Sequence, residues 1–103
     1  MCEKMSARTA ELDLDMRVPS GFSALGDPAR IWLVQEMAAR GFITPTQAAR
    51  ELGMTRQGAT RHLDALCAAG LATSRQAGRS TEYVLRSSAL AELGDWLWAI
   101  RRR

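Results

Sequence analysis

The 103-residue sequence predicts a mainly α-helical domain carrying a two-stranded β-hairpin, in the order α-α-α-α-β-β-α. Three observations carry that expectation. Helix caps and glycine stops alternate through the first two thirds of the chain: Asp27-Pro28 to Gly41, Thr44-Pro45 to Gly53, and Thr55 to Gly70. Two short runs of β-formers then flank the turn residues Ala77-Gly78-Arg79. Finally Leu90, Leu93, Leu97 and Ile100 recur at helical spacing up to the terminal arginines. A chain of this length has room for one small domain and excludes a multidomain enzyme.

Taken in order, residues 1–19 read as a flexible N-terminal tail or arm. Leu12, Leu14, Met16 and Val18 alternate with charged residues there, which fits an extended segment as well as helical spacing, and Pro19 is expected to end it. The domain proper spans 20–103. Ser20 is expected to cap a short helix with Phe22, Ala24 and Leu25, stopped by Gly26. Asp27 caps the next, with Pro28 at the first helical position and Ile31, Leu33, Val34, Met37 and Ala38 on its buried side. Thr44-Pro45-Thr46-Gln47 is a capping box that opens a short helix bearing Ala48, Ala49 and Leu52. After Gly53, Thr55 caps a further helix, so two helices meet across a tight glycine turn as in a helix-turn-helix.

On this second helix the apolar positions form one narrow stripe. With Arg56 as zero and about 100° per residue, Leu66, Ala59, Gly70 and Leu63 fall between about 280° and 340°. Gln57, Asp64 and Arg61 lie opposite, with Thr60 and His62 on the flanks. Strands over 71–76 and 81–85 form the hairpin, with Arg75 and Arg79 near its tip and Tyr83 able to pack beneath it. Ser87 or Ser88 then caps the last helix. Helix-turn-helix followed by a hairpin is the order of a winged helix, here with an extra helix at each end.

Charge is unevenly placed. Lys and Arg number 14 against 11 Asp and Glu, and all the cations but Lys4 are arginine, whose fork suits phosphate and carboxylate. Residues 1–51 hold 6 basic and 7 acidic side chains, while 52–103 hold 8 and 4, so the second half is the one suited to a polyanion. No run approaches the roughly 18 apolar residues of a membrane helix, and the N-terminus lacks the apolar core of a secretory signal. The expected location is the cytoplasm, at the nucleoid in a bacterium, with no membrane partner. Two cysteines and one histidine fall short of a disulfide or zinc framework, and no paired carboxylates, nucleophile with its base, or phosphate loop point to an enzyme.

The expected partner is double-stranded DNA. An α-helix fits the major groove, and Gln57 can offer a bidentate amide to adenine while Arg56 or Arg61 forks onto guanine or holds phosphate. Thr55 and His62 flank this face, and Thr60 is short enough for close approach. Arg75, Arg79 and Ser80 are the expected wing contacts. Asp64 can accept from cytosine or pair with Arg61. The alternatives are a protein-interaction winged helix whose basic face meets an acidic partner, and a thiol-responsive regulator using Cys2 and Cys67.

Phe22-Ser23-Ala24-Leu25-Gly26-Asp27-Pro28-Ala29-Arg30 resembles the opening of the arsenic-repressor (ArsR) type regulators. Thr60-Arg61-His62-Leu63-Asp64-Ala65-Leu66-Cys67-Ala68-Ala69-Gly70-Leu71 is similar to that family's recognition-helix ending, and Gly78-Arg79 with Tyr83 and Leu85 to its wing. The resemblance covers about residues 22 to 100 in the right order. It implies a homodimeric repressor on a pseudo-palindromic operator, paired through its first and last helices. Phe22, Leu25, Leu90, Leu93, Trp96, Leu97 and Ile100 are the expected dimer residues, because one short helix cannot easily hide both Trp96 and Trp98. The positions where metal-sensing members carry a Cys-x-Cys pair are Thr44 and Thr46 here, and no histidine follows His62. No metal and no cofactor is therefore expected, and the sequence names no effector.

Overall fold

The computed structural model describes residues 16–103. Through them run α1 (Arg17–Ala24), α2 (Pro28–Arg40), α3 (Pro45–Leu52), α4 (Arg56–Ala68), β1 (Ala72–Ala77), β2 (Ser80–Leu85) and α5 (Ser87–Arg101), the expected order. The readings of Cys2 and of residues 11–15 lie outside the described residues.

The first helix begins earlier than expected. Met16 is its N-cap and Arg17 its first residue, so Met16 to Val18 are not extended, and the boundary drawn after residue 19 falls inside the helix. Pro19 sits at the third helical position, where an N–H would have no intrahelical acceptor, so the ring is tolerated instead of ending the segment. Ser20 is not a cap: its own N–H donates to the Met16 carbonyl at 3.2 Å.

The next three helices follow their capping residues. Asp27 accepts from the Ala29 N–H at 2.8 Å and from Arg30 at 3.4 Å. Thr44 Oγ1 accepts from the Gln47 N–H at 3.2 Å while Gln47 Oε1 accepts from the Thr44 N–H at 3.0 Å, the reciprocal capping box. Thr55 Oγ1 accepts from the Gly58 N–H at 3.0 Å. Gly70, at φ 79°, closes α4: its N–H reaches the Cys67 carbonyl and that of Leu71 the Leu66 carbonyl, a Schellman ending.

Leu33, Met37, Ile43, Leu63, Leu66 and Leu71 are the largest fully buried side chains, and they lock α2, α4 and the start of the hairpin together. Ala59, Leu63 and Leu66 are buried as the apolar stripe requires. On α2 the buried face is narrower than expected. Leu33, Val34 and Met37 point inward, whereas Ile31 is 45% exposed and Ala38 is exposed. Both lie about 40° to 60° beyond the arc those three define, and nothing covers them there.

The strands pair antiparallel from Ala72 opposite Leu85 to Ala77 opposite Ser80, so the hairpin reaches one residue further toward its tip than expected and turns on Gly78, at φ 65°, and Arg79. Leu71 belongs to the helix ending instead. Ile43 and Tyr83 exchange backbone hydrogen bonds at 3.0 and 2.9 Å, which ties the α2–α3 connection to β2. Beyond Ala72 the first strand is exposed along its length, so the hairpin projects from the core as a wing.

The last helix is capped by Arg86, not by Ser87 or Ser88. Arg86 is anchored by its N–H to the Leu71 carbonyl at 2.8 Å and by its guanidinium to the Gly70 carbonyl at 3.2 Å, which sets the helix start without a hydroxyl cap. Leu93 is buried in the chain's own core, at 5% exposure, and is not part of an exposed stripe. The reason lies opposite it: Gly21 on α1 has no Cβ, and one built there would fall 2.9 Å from both Leu93 methyls.

Candidate nucleic-acid interface

The site is built on α4, whose apolar stripe fixes the helix against the core and thereby turns the opposite side to solvent. Thr55, Arg56, Gln57, Arg61 and Asp64 are exposed, while Thr60 and His62 are half-buried. Arg56, Gln57, Thr60, Arg61 and Asp64 line one shallow hollow along this face. The hydroxyls of Thr55 and Thr60 have local duties, the first as helix cap and the second donating to the Arg56 carbonyl at 2.9 Å. The arginine and glutamine side chains are left to offer donors outward.

Asp64 has a different partner from the one expected. The Tyr83 hydroxyl donates to its Oδ1 at 2.8 Å, and among the described residues the ion pairs involve Arg17, Arg40 and Arg75 but not Arg61. The carboxylate thus braces β2 against α4. Burial of the ring, with the hydrogen bond and charge of Asp64, pushes the Tyr83 phenol up to about 12. Burial and Asp64 also push the neighbouring Cys67 thiol up.

His62 faces away from the Gln57 side of the helix. Its Nδ1 accepts from Arg30 Nε at 3.2 Å, and Arg30, Gly58, Arg61, His62 and Ala65 line a second hollow beside α4. Arg30, on α2, is a contact that the sequence did not expose, because no spacing rule relates residues on separate helices.

On the wing, Arg79 and Ser80 stand exposed at the turn. Arg75 lies further back, directly opposite Glu82, and its Nε donates to the Glu82 carboxylate at 2.9 Å. Its guanidinium carbon is 5.9 Å from the centre of the Phe42 ring. It is held along the hairpin instead of at the tip, with 59% of the side chain still exposed.

Thr44, which the resemblance matches to a cysteine of metal-sensing members, is committed to capping α3, and Thr46 is exposed. Among the described residues no cluster of three His, Cys, Asp or Glu side chains is placed to hold a metal ion. None of their helices is long and apolar enough to cross a membrane.

A cap-bounded helix pair whose second member shows an arginine and amide face, followed by a projecting hairpin, defines a winged helix-turn-helix protein. Residues 25–75 match the helix-turn-helix domain family. The HTH-type transcriptional regulator CmtR of Mycobacterium tuberculosis and Mycobacterium bovis is 37% identical over 73 residues, 70% of this chain, and the match spans 61% of the length of those curated relatives. An ArsR-like transcriptional regulator from Rhodococcus sp. RHA1 superposes with a TM-score of 0.74 at 29% identity, covering 84% of this chain and 81% of that one. A possible transcriptional regulator for arsenical resistance gives 0.68 at 31% identity, covering 76% and 80%. The chain belongs to the ArsR-type helix-turn-helix family.

Proposed function

We propose that this protein is a sequence-specific double-stranded DNA-binding transcriptional regulator, a homodimeric repressor on a pseudo-palindromic operator. One observation carries the reading: Arg56, Gln57 and Arg61 are exposed together on the side of α4 opposite its buried stripe, with no carboxylate paired to either arginine among the described residues. In the major groove Gln57 reads adenine and Arg61 reads guanine, Arg56 holds phosphate, and Thr55, Thr60 and His62 line the edges. Arg79 and Ser80 reach the backbone from the wing, with Arg75 behind them.

The dimer face is drawn from α1 and α5. Trp96, Leu97 and Ile100 are 38%, 52% and 44% exposed, and Phe22 stacks tilted on Trp96 with ring centroids 5.6 Å apart. The expected dimer residues Leu25 and Leu90 are half-buried against the core, and Leu93 lies within it. The role is one of binding rather than catalysis, in the cytoplasm, and needs no cofactor.

Selection of binding sites from random duplexes is the test. Enrichment of a two-fold-related sequence, bound at least ~10³ times more tightly than unrelated DNA, is the expected result. Failure to enrich any duplex, with an acidic protein captured in its place, would leave the winged helix as a protein-interaction module.

A further inference from the structure

Arg30 sits on α2, yet its guanidinium ends beside α4. Its Nε donates to His62 Nδ1 at 3.2 Å and one terminal nitrogen donates to the Ala24 carbonyl at 3.3 Å. With Nδ1 engaged by Arg30, Nε2 is the ring nitrogen left to donate to a ligand. The hollow that Arg30 and His62 share with Arg61 has no carboxylate in its lining, and neither arginine is ion-paired among the described residues. Arg30, Arg61 and His62 thus line one concave surface whose lining holds no carboxylate.

The position of this hollow identifies what it takes. With Arg56 as zero, Gly58, Arg61, Ala65 and His62 fall between about 140° and 240° around α4, whereas Asp64, which is bonded to Tyr83 of the wing strand, falls at about 80°. The hollow thus lies on one flank of the exposed face, with Arg61 at its edge, away from the position where the wing strand meets the helix. A helix inserted in the major groove has a phosphate backbone along each flank.

We propose that Arg30 and His62, at the edge of the reading face marked by Arg61, form a seat for a backbone phosphate of duplex DNA. Arg30 contributes charge and holds the imidazole so that its N–H faces the anion. The assignment rests on the DNA-binding reading above and adds to it a residue outside the helix-turn-helix.

The test compares wild type, Arg30→Gln and Arg30→Lys on a selected duplex and on an unrelated duplex across a salt series, with melting temperatures recorded. Arg30→Gln is expected to weaken both complexes by the same factor and to reduce the salt slope by about 0.9, one phosphate contact. Arg30→Lys, which keeps a point charge, is expected to retain most of the slope. In parallel, inorganic phosphate is titrated into the wild type at fixed pH and ionic strength while the His62 ring resonances are followed; they are expected to move, and this readout does not depend on any variant folding. An unchanged slope in a folded Arg30→Gln, or a silent His62 ring, overturns the seat while DNA binding by the wild type stands. Absence of duplex binding by the wild type overturns the DNA reading and this assignment with it.

Discussion

Tyr83 is the only tyrosine of the chain, and its buried ring donates to an exposed carboxylate. Its raised phenol makes a prediction with a definite sign. A group whose folded value lies above its unfolded one contributes stability that is complete below the unfolded value, about 10 for a phenol, and is lost as pH rises through the folded value. Stability is therefore expected to hold up to about pH 10 and to fall toward about 12, where the folded phenol ionises. Phenolate absorbance reports this residue alone, and a midpoint near the ordinary phenol value would remove the Tyr83–Asp64 contact. Tyr83→Phe is expected to abolish that alkaline component at a cost of about 1 kcal/mol near neutrality. At the same corner, burial and Asp64 keep the Cys67 thiol protonated, which slows the thiolate chemistry that a switch through Cys67 would need.

Gln57 and Arg61 carry a second residue-scale prediction. Both are exposed and face away from the buried stripe, so replacing either with alanine is expected to leave the melting temperature unchanged. Each substitution is expected to weaken the best operator by about 1 to 3 kcal/mol, with discrimination relaxed at one base position. Undiminished affinity in both variants would mean that this face does not read bases. What the sequence disclosed at this scale was the wheel position of each side chain. It did not disclose partners supplied by other elements: Arg30 for His62, Tyr83 for Asp64 and Glu82 for Arg75 all come from distant positions.

Among the elements, those bounded by side-chain caps were legible because a cap is local chemistry: Asp27, Thr44 and Thr55 sit within three residues of the N–H groups they satisfy. The starts of α1 and α5 were not, since neither N-cap makes a side-chain hydrogen bond and α5 is set by Arg86 reaching back to Gly70 and Leu71. The wing is legible in outline and supports its own prediction. Arg79 stands exposed at the turn itself, whereas Arg75 is restrained by Glu82. Arg79→Ala is therefore expected to weaken specific and non-specific DNA alike and to lower the salt slope by about 0.9 for one phosphate contact. Adding Arg75→Ala is expected to lower it further only if Glu82 releases Arg75 on binding. A normal slope in the double variant would show that the hairpin does not reach DNA.

At the scale of the whole molecule, the question is what covers the outer face of α5. Leu93 is satisfied by Gly21, but the helix continues for two more turns with Trp96, Leu97, Trp98 and Ile100 at 38% to 54% exposure. Trp98 has the Arg101 guanidinium 5.1 Å above its ring, a contact an exposed aromatic can keep in water, whereas Leu97 and Ile100 have only apolar surface to offer. A contiguous patch of this kind next to Phe22 is what a second copy of α1 and α5 would bury, and pairing would hold two α4 helices for successive half-sites of the operator. The pairing also bears on affinity, because the second half-site is engaged without another full loss of translational freedom. Leu93 is packed in the chain's own core, so a charge there is expected to destabilise the fold as well, and the informative variant is Leu97→Glu with Ile100→Glu. It is expected to keep the wild-type helical signal, to sediment as a monomer, and to lose operator binding while retaining weak, salt-sensitive association with any duplex. Sedimentation of the wild type as a single species of monomer mass at micromolar concentration would remove the dimer, and a two-fold operator would then have no matching symmetry in the protein.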